Sequence, residues 1–266
     1  MIYYEESGGK LYLGNCKEIL KNFSDDYIDL VVTSPPYDEL RDYKGYKFDF
    51  EGIADQLWRI IKPGGVVVWV VQDATIKGSE TGTSLRQALY FMDIGFRKHD
   101  TMIYEKSGCP YPERVRYYQN WEYMFIFSKG KPKTINLIAD RKNKWAGTQN
   151  WGKNTARQKD GTLLEHKEKR KIIKPYGVRF NIWRYKIGGG MSTKDKVAYN
   201  HPAIFPEKLA EDHIISWSEP GDIVLDPLCG SGTTCKMAKL QNRYFIGIDV
   251  SEEYLDISKE RLQGVR

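Results

Sequence analysis

The chain has 266 residues, of which 41% are hydrophobic and 13% aromatic, enough for one large buried core or for one core with a small appended module. The longest apolar run, VVVWVV at 66–71, is far too short to cross a membrane, and the N-terminus MIYYEESGGK carries no export signal. The four cysteines show neither CxxC pairs nor nearby metal-type histidines. We therefore expect a cytoplasmic protein with no membrane partner, no disulfide framework and no bound metal.

The net charge of +6 hides an uneven distribution of charge along the chain. Residues 131–200 contain 18 Lys and Arg but 5 Asp and Glu, a net charge of +13, whereas the remainder carries a net charge of −7. One basic segment is thus set in a mildly acidic chain. It is either a surface for a polyanion or a solvated flexible loop.

The first half of the chain alternates short apolar runs with helical patterns. YIDLVV is rich in β-branched residues and ends at a proline turn, as expected of a buried parallel strand. Pro63-Gly64-Gly65 would end the helix that follows. The predicted elements are a strand at 27–32, a helix at 51–62, a strand at 66–71, a helix at 83–94, and an antiparallel pair at a sheet edge, 98–106 with 121–129.

Regular patterning is weak between residues 130 and 200, where FNIWRYKI at 180–187 is the one strand candidate. The alternation of strand and helix then returns, and it predicts a doubly wound α/β sheet. The predicted elements there are a helix at 206–217, a strand at 223–226, a helix at 233–240, a strand at 244–249 and a helix at 251–262.

A glycine turn near the C-terminus indicates a ligand site. In DIVLDPLCGSGTT, Gly230 and Gly232 lie between a predicted strand and a predicted helix, so a ligand can approach the backbone and the helix N-terminus. Asp249, at the end of the next strand, can accept hydrogen bonds from both hydroxyls of a ribose. A nucleoside-containing cofactor fits this pattern. The alternatives are a P-loop, which needs a lysine after the second glycine, a dinucleotide site, which needs glycine at Cys235, and a purely structural turn.

Two motifs carry a resemblance to a known family. DPLCGSGTT resembles the S-adenosylmethionine-binding motif of amino-group DNA methyltransferases, and TSPPY at 33–37 resembles their catalytic motif. The catalytic motif comes first, the cofactor motif comes last and a long basic segment separates them, as in the beta group of these enzymes. The resemblance implies an α/β fold: a doubly wound, Rossmann-like methyltransferase sheet, circularly permuted, with an antiparallel edge hairpin and a basic insert for target recognition.

The resemblance also implies roles for individual residues. HPAIFPEKL at 201–209 and GIDVSEEY at 247–254 are similar to further family segments, whereas Gly14-Asn15 stands where the family often has Gly-Asp, and Leu228 replaces a common phenylalanine. The implied catalytic residues are Ser34, Pro35, Pro36 and Tyr37. The implied S-adenosylmethionine-binding residues are Asn15, Cys16, Phe205, Glu207, Asp226, Pro227, Leu228, Cys229, Gly230, Ser231, Gly232, Thr233, Thr234 and Asp249.

The TSPPY motif suits methylation of an exocyclic amine. Cytosine N4 and adenine N6 are poor nucleophiles because their lone pairs are delocalised, so the Ser34 hydroxyl and the Pro35 carbonyl would accept the amine hydrogens while Tyr37 stacks on the flipped base. Serine at the first motif position points in this family more often to cytosine N4, with adenine N6 as the alternative. Methylation of a cytosine ring carbon is rejected, because that chemistry uses a Pro-Cys pair and this chain has only Cys109-Pro110.

The predicted organisation has three parts: a catalytic half at 1–130, a target-recognition insert at 131–200 and a cofactor-binding half at 201–266. The expected partner is double-stranded DNA, because the insert offers cations for phosphates and Asn, Gln and Arg for base edges. The resemblance also allows for a homodimer and a companion restriction endonuclease. Two other functions stay open: a DNA-binding relative that has lost catalysis, and a methyltransferase acting on RNA or protein.

Overall fold

The computed structural model describes residues 1–36, 48–108, 114–149, 155–165 and 172–265. In chain order, the helices of these ranges are α1 (Cys16–Leu20), α2 (Phe50–Ile60), α3 (Thr83–Asp93), a 3₁₀ helix (Lys196–Asn200), α4 (Glu207–Trp217), α5 (Thr233–Leu240) and α6 (Glu252–Gln263). The strands are β1 (Ile2–Glu6), β2 (Gly9–Leu13), β3 (Ile28–Thr33), β4 (Ile61–Val71), β5 (Thr75–Ile76), β6 (Ser79–Glu80), β7 (Arg97–Lys106), β8 (Trp121–Ser128), β9 (Arg141–Lys142), β10 (Thr155–Arg157), β11 (Leu163–Glu165), β12 (Tyr176–Gly177), β13 (Ile182–Tyr185), β14 (Ile223–Asp226) and β15 (Tyr244–Asp249).

The chain divides into two compact units. The first comprises Met1–Asn136 and Asn181–Arg266, and the second is Leu137–Phe180. The second unit is narrower than the predicted insert at 131–200. The difference arises because residues after Phe180 enter the sheet of the first unit, where β13 pairs with β7.

Within the described ranges, nine strands of the first unit form one sheet in the order β1-β2-β15-β14-β3-β4-β8-β7-β13. β1 and β8 run opposite to the other strands. The carboxyl ends of all the others therefore meet at one edge, together with the amino end of β8. The predicted antiparallel pair is β7 and β8, and the candidate strand FNIWRYKI supplies one further strand, β13, outside it.

Helices cover both faces of this sheet, as the run of buried residues in β3 and β4 requires. Successive side chains of a strand point to opposite faces. Val67, Trp69 and Val71 of β4 accordingly share a core with α1, α2 and α3, while α4, α5 and α6 pack together and cover the other face. Trp69 and Phe91 meet edge to face in that core, with ring centroids 5.1 Å apart.

Two details of the strands differ from the sequence prediction. Helix α2 ends at Ile60 and β4 begins at Ile61, so Pro63 and Gly64 lie inside the strand rather than between two elements. The hairpin of β1 and β2 was not predicted. Its Gly9 has a φ of 155°, and a Cβ there would lie 2.1 Å from the carbonyl oxygen of Phe245, so only glycine lets β2 pair with β15 at this point.

The second unit consists of short antiparallel pairs, β9 with β12 and β10 with β11. Arg179 forms an ion pair with Asp140 at 2.7 Å, and the Arg141 guanidinium lies over the Phe180 ring at 4.5 Å. Trp145 is 63% exposed. Among the residues described in either unit, no helix combines the length and the apolar character that crossing a membrane would require.

Candidate active site

The proline motif and the glycine turn begin at neighbouring strand ends. β3 and β14 pair in parallel, with Val31 opposite Leu225. Both strands end at the same edge of the sheet. The strand order changes direction between them, and ligand crevices in such sheets usually lie at that point. The Thr33 hydroxyl donates a buried hydrogen bond to Asp226 Oδ1 across this junction, at 2.7 Å. Ser34, which follows Thr33, therefore lies beside the start of the glycine turn.

The backbone conformation of the glycine turn requires glycine at two positions. Gly230 and Gly232 have φ values of 48° and 71°, and Gly232 is the N-cap of α5. A Cβ at Gly230 would lie 2.7 Å from His201 Nε2, and one at Gly232 would lie 2.6 Å from Ser258 Oγ. The same Ser258 hydroxyl donates to the Gly230 carbonyl at 2.7 Å. The turn is thus closely packed against His201 and Ser258, and these contacts hold its shape.

Asp249 at the end of β15 is oriented by two backbone N–H groups. Gly230 donates to Oδ2 at 2.9 Å and Ser251 donates to Oδ1 at 2.8 Å. The backbone N–H of Val250 also interacts with this carboxylate. A carboxylate has about four acceptor positions, so Asp249 can still accept a hydrogen bond from a ligand. Burial raises the pKa of Asp249. These features fit the ribose hydroxyls of the expected cofactor, because hydroxyl donors compensate a partly desolvated carboxylate.

Asp226 is a buried acid at the junction of the two motifs. Besides the Thr33 hydroxyl, Oδ1 accepts the backbone N–H of Leu228 at 3.1 Å. Burial raises the pKa of Asp226 to about 6, against the lowering effect of these hydrogen bonds. Its contacts hold the first residues of the glycine turn against the end of β3.

A cavity of about 1010 Å³ opens along this edge of the sheet. It is large enough for a nucleoside cofactor together with a flipped base. Most of the residues that the resemblance implicates line it. They are Cys16, Ser34, Pro35, Pro36, Phe205, Asp226, Pro227, Leu228, Cys229, Gly230, Ser231, Thr233 and Asp249.

Four of the implied cofactor residues are not among the residues that line the cavity, and Tyr37 lies outside the described residues. Asn15 caps α1, since its Oδ1 accepts the N–H of Lys17 at 2.9 Å. Gly232 shapes the turn, and the Thr234 hydroxyl donates to the Val32 carbonyl at 3.1 Å. These contacts give Asn15, Gly232 and Thr234 positioning roles in the structure.

The fourth, Glu207, belongs to a network of charges beneath the glycine turn. Its carboxylate pairs with Lys236 at 2.7 Å and with Arg261 at 2.8 Å, and Asp195 pairs with the same two cations at 2.7 and 2.9 Å. Burial raises the pKa of Glu207 and Asp195, but hydrogen bonds from Lys236 and Arg261 outweigh it and leave both pKa values below normal. Glu207 is therefore ionised and committed to the network.

Arg261 connects this network to the turn itself. Its side chain is fully buried, and Nη1 donates to the Ser231 carbonyl and to the Thr233 hydroxyl. The sequence prediction placed Glu207 against the cofactor because its segment resembles one that does so. The competing partners, Lys236 and Arg261, lie 29 and 54 residues away and carry no local signal.

The sequence prediction also missed residues at the other end of the cavity. Gln72 and Asp73 line it directly after the buried run of β4, and polar residues in that position are a signal that was available. Asp73 Oδ1 accepts the N–H of Ser84 at 2.7 Å near the start of α3. Lys106 and Glu122 also line the cavity, but only the register of β7 with β8 brings them together.

Comparison with known proteins identifies the family. Residues 28–260 match the model of the N6/N4 DNA methylase family. The chain is 62% identical to the orphan methyltransferase M.BamHII of Bacillus amyloliquefaciens, over 92% of each sequence. It is 28% identical to the type II methyltransferase M.BglII of Bacillus subtilis, over 96% of this chain and 69% of that one.

Solved structures share the fold. PvuII DNA methyltransferase (cytosine-N4-specific) has a TM-score of 0.69 at 22% identity, over 98% of this chain and 88% of the other. TTHA0409 of Thermus thermophilus, complexed with S-adenosyl-L-methionine, has a TM-score of 0.61 at 24% identity, over 96% of this chain and 94% of the other. At these identities the likeness establishes the architecture, while the sequence matches establish descent. The chain therefore belongs to the N6/N4 DNA methylase family and is a DNA amino-methyltransferase.

Proposed function

We propose that the enzyme transfers a methyl group from S-adenosylmethionine to the N4 amine of a cytosine flipped out of duplex DNA. The observation that carries this proposal is the shared cavity, into which Ser34, the glycine turn and Asp249 all open. The serine of the SPP corner favours cytosine over adenine. PvuII methyltransferase, which has the same fold, is cytosine-N4-specific, and this supports the same choice.

The residues of the cavity divide the work between them. When bound, S-adenosylmethionine supplies a methyl group on a positively charged sulfur. Asp249 holds the ribose, and the glycine turn lets the backbone approach the cofactor closely. The apolar side chains of Leu228 and Phe205 line the same cavity and help to exclude water.

Ser34 and Pro35 hold the amine in our proposal. The Ser34 hydroxyl and the Pro35 carbonyl accept its two hydrogens, which directs the nitrogen lone pair away from the ring and towards the methyl group. A strongly basic side chain is not needed, because the amine proton becomes acidic only after methylation. Flipping the base costs roughly a few kcal/mol, and stacking on Tyr37 would offset part of this cost.

The DNA contacts are proposed for the basic segment. Lys142 and Lys144 are exposed on the second unit, and Trp145 beside them is 63% exposed. Cations of this kind neutralise phosphates, and aromatic rings stack on bases. In this proposal the protein acts in the cytoplasm on double-stranded DNA. The family match favours DNA over RNA or protein as the substrate, and favours catalysis over a purely binding role.

A homodimer and a companion endonuclease stay predictions. M.BamHII is called an orphan methyltransferase, which favours an enzyme without such an endonuclease, whereas M.BglII is called a type II methyltransferase. Light scattering on the purified protein, with and without DNA, checks the oligomeric state.

The decisive experiment identifies the methylated base. Unmethylated DNA is incubated with the protein and S-adenosylmethionine, digested to nucleosides and analysed by mass spectrometry. We expect N4-methylcytosine. N6-methyladenine would replace this proposal with its alternative, and unmodified DNA alongside methylated RNA would exclude a DNA substrate.

A further inference from the structure

The cavity continues beyond Ser34 to a polar cluster formed by Gln72, Lys106 and Glu122. These residues lie at the ends of β4, β7 and β8. In the order of strands, β3 stands between them and the two strands that carry the glycine turn and Asp249. A base whose amine is held at Ser34, with the cofactor on one side, therefore has this cluster on the other.

The cluster is built around the ammonium group of Lys106. Its Nζ lies 2.7 Å from Glu122 Oε1 and 3.4 Å from Gln72 Oε1. The two charged side chains are 17% and 11% exposed, and an ion pair withdrawn this far from water contributes little net stability. An ammonium has three N–H donors, and among the described residues two side-chain acceptors engage it, so one donor is available to a ligand.

Tyr104, which also lines the cavity, adds no negative charge to this cluster. Glu122 stands opposite Tyr104 in the register of β7 and β8. Burial and the negative charge of Glu122 raise the pKa of Tyr104, which therefore stays a neutral phenol. The Glu122 carboxylate orients Lys106, and the lysine is the positive group that faces the cavity.

The edge of cytosine beyond its N4 amine carries two acceptors, N3 and O2, whereas adenine beyond N6 carries the acceptor N1 followed by a C–H group. Enzymes that flip a base read this edge by hydrogen bonds. We propose that Lys106, held by Glu122 and Gln72, donates a hydrogen bond to O2 of the flipped cytosine, where adenine has a C–H group, and is a specificity-determining residue. This inference rests on the proposed function.

The test uses the double variant Lys106→Met/Glu122→Gln, which removes both charges of this ion pair together. The control is Lys98→Met, the same change at an exposed position of β7. Sequencing of DNA methylated by the wild type locates the recognised site, and a synthetic duplex carrying it is the substrate. A second duplex has adenine in place of the target cytosine.

We expect kcat/KM on the cytosine duplex to fall by about 10- to 100-fold in the double variant, as for loss of a hydrogen bond to a charged group. The control variant, the Kd for S-adenosylmethionine and the thermal stability should stay as in the wild type. The ratio of rates on cytosine and adenine should fall as well. A merely structural role would lower both rates equally, and that result would overturn the inference.

Failure of the two proposals can be told apart. If the wild type forms N6-methyladenine, the proposed function falls and the role of Lys106 falls with it. If the wild type forms N4-methylcytosine but the double variant keeps its kcat/KM, only the assignment of Lys106 is wrong.

Discussion

Buried charge occurs at both ends of the cavity, but the two groups face different surroundings. Beneath the glycine turn, Arg261 is fully buried and bonds to the Ser231 carbonyl and to two carboxylates, one of them Glu207. At the other end, Lys106 and Glu122 line the cavity itself. Both arrangements cost desolvation.

The difference separates scaffold from site. Charged side chains enclosed by other protein groups, as in the network of Arg261, hold a loop in shape. Their loss should therefore lower the free energy of unfolding. Polar groups that face the cavity, such as Ser34 and Asp249, meet the substrate or the cofactor, so their loss should appear as lost rate or affinity. Position in the sequence alone does not distinguish the two, because Phe205 and Pro206 line the cavity whereas Glu207 does not.

The largest effect is expected from Arg261→Met. It leaves Glu207 and Asp195 with one cation fewer in a buried network, so the free energy of unfolding should fall by about 3–5 kcal/mol. Denaturant unfolding measures this value. Arg86→Met, the same change at an exposed position of α3, is the control and should have little effect. Equal stability of the two variants would contradict the structural role of the network.

Ser34→Ala, in contrast, should lower the rate of methylation but not the stability. Loss of one preorganised hydrogen-bonding group should lower kcat by about 10²- to 10³-fold, with little change in stability or in the Kd for DNA. Single-turnover methylation measures the rate. Ser79→Ala, on the exposed strand β6, should behave as the wild type. Normal turnover by Ser34→Ala would remove the serine from the mechanism.

Asp226 lines the cavity and also holds the glycine turn in place, so its burial should affect how stability depends on pH. Its pKa of about 6 exceeds the unfolded value of about 3.9, so between these values the folded state holds a proton that the unfolded state releases. Relative to Asp226→Asn, the wild type should therefore gain up to about 3 kcal/mol in unfolding free energy as pH falls from 7 to 4. Denaturant unfolding of both proteins across this range is the measurement.

Glu207→Gln provides a contrast of opposite sign. The pKa of Glu207 is lowered in the folded state, so its contribution is present at neutral pH and is lost as pH falls through that lowered value. Parallel pH profiles for the two variants would refute the distinction between Asp226 and the network.

Asp249→Asn should raise the Kd for S-adenosylmethionine by about 10-fold or more, because a charged acceptor for hydroxyl donors is lost. Isothermal titration calorimetry gives the Kd, and thermal unfolding without cofactor shows whether the turn survives. The exposed Asp93→Asn is the control. Unchanged affinity would exclude ribose as the ligand of Asp249.

The smallest effect is expected from exposed lysines of the second unit. Replacing Lys142 and Lys144 with alanine should make the salt dependence of DNA binding shallower, by up to about 0.9 in the logarithmic slope for each phosphate that is no longer neutralised. Binding titrations at several salt concentrations measure the slope. Lys21 and Lys98, exposed lysines of the first unit, serve as the control pair. An equal change in the slope for both pairs would contradict the assignment of DNA binding to the second unit.

Local pattern was enough for much of the fold. IVLD, the helix from Thr233 to Leu240 and the strand from Tyr244 to Asp249 lie where the sequence prediction put them. The β1–β2 hairpin was missed although its alternation around a glycine pair was visible, because its two strands are short and half-exposed. Tertiary pairing also moved the beginning of β4 back to Ile61, ahead of Pro63.

By itself the sequence determined the order of the elements, the glycine turn and the proline corner, because apolar period, β-branching and backbone restrictions act over a few residues. Only the tertiary structure decided which polar groups meet. Glu207 binds Lys236 and Arg261 instead of lining the cavity, and the register of two antiparallel strands brings Lys106 to Glu122. Such partners are chosen by distance in space and by the cost of leaving a buried charge unpaired, and neither is written in the neighbouring residues.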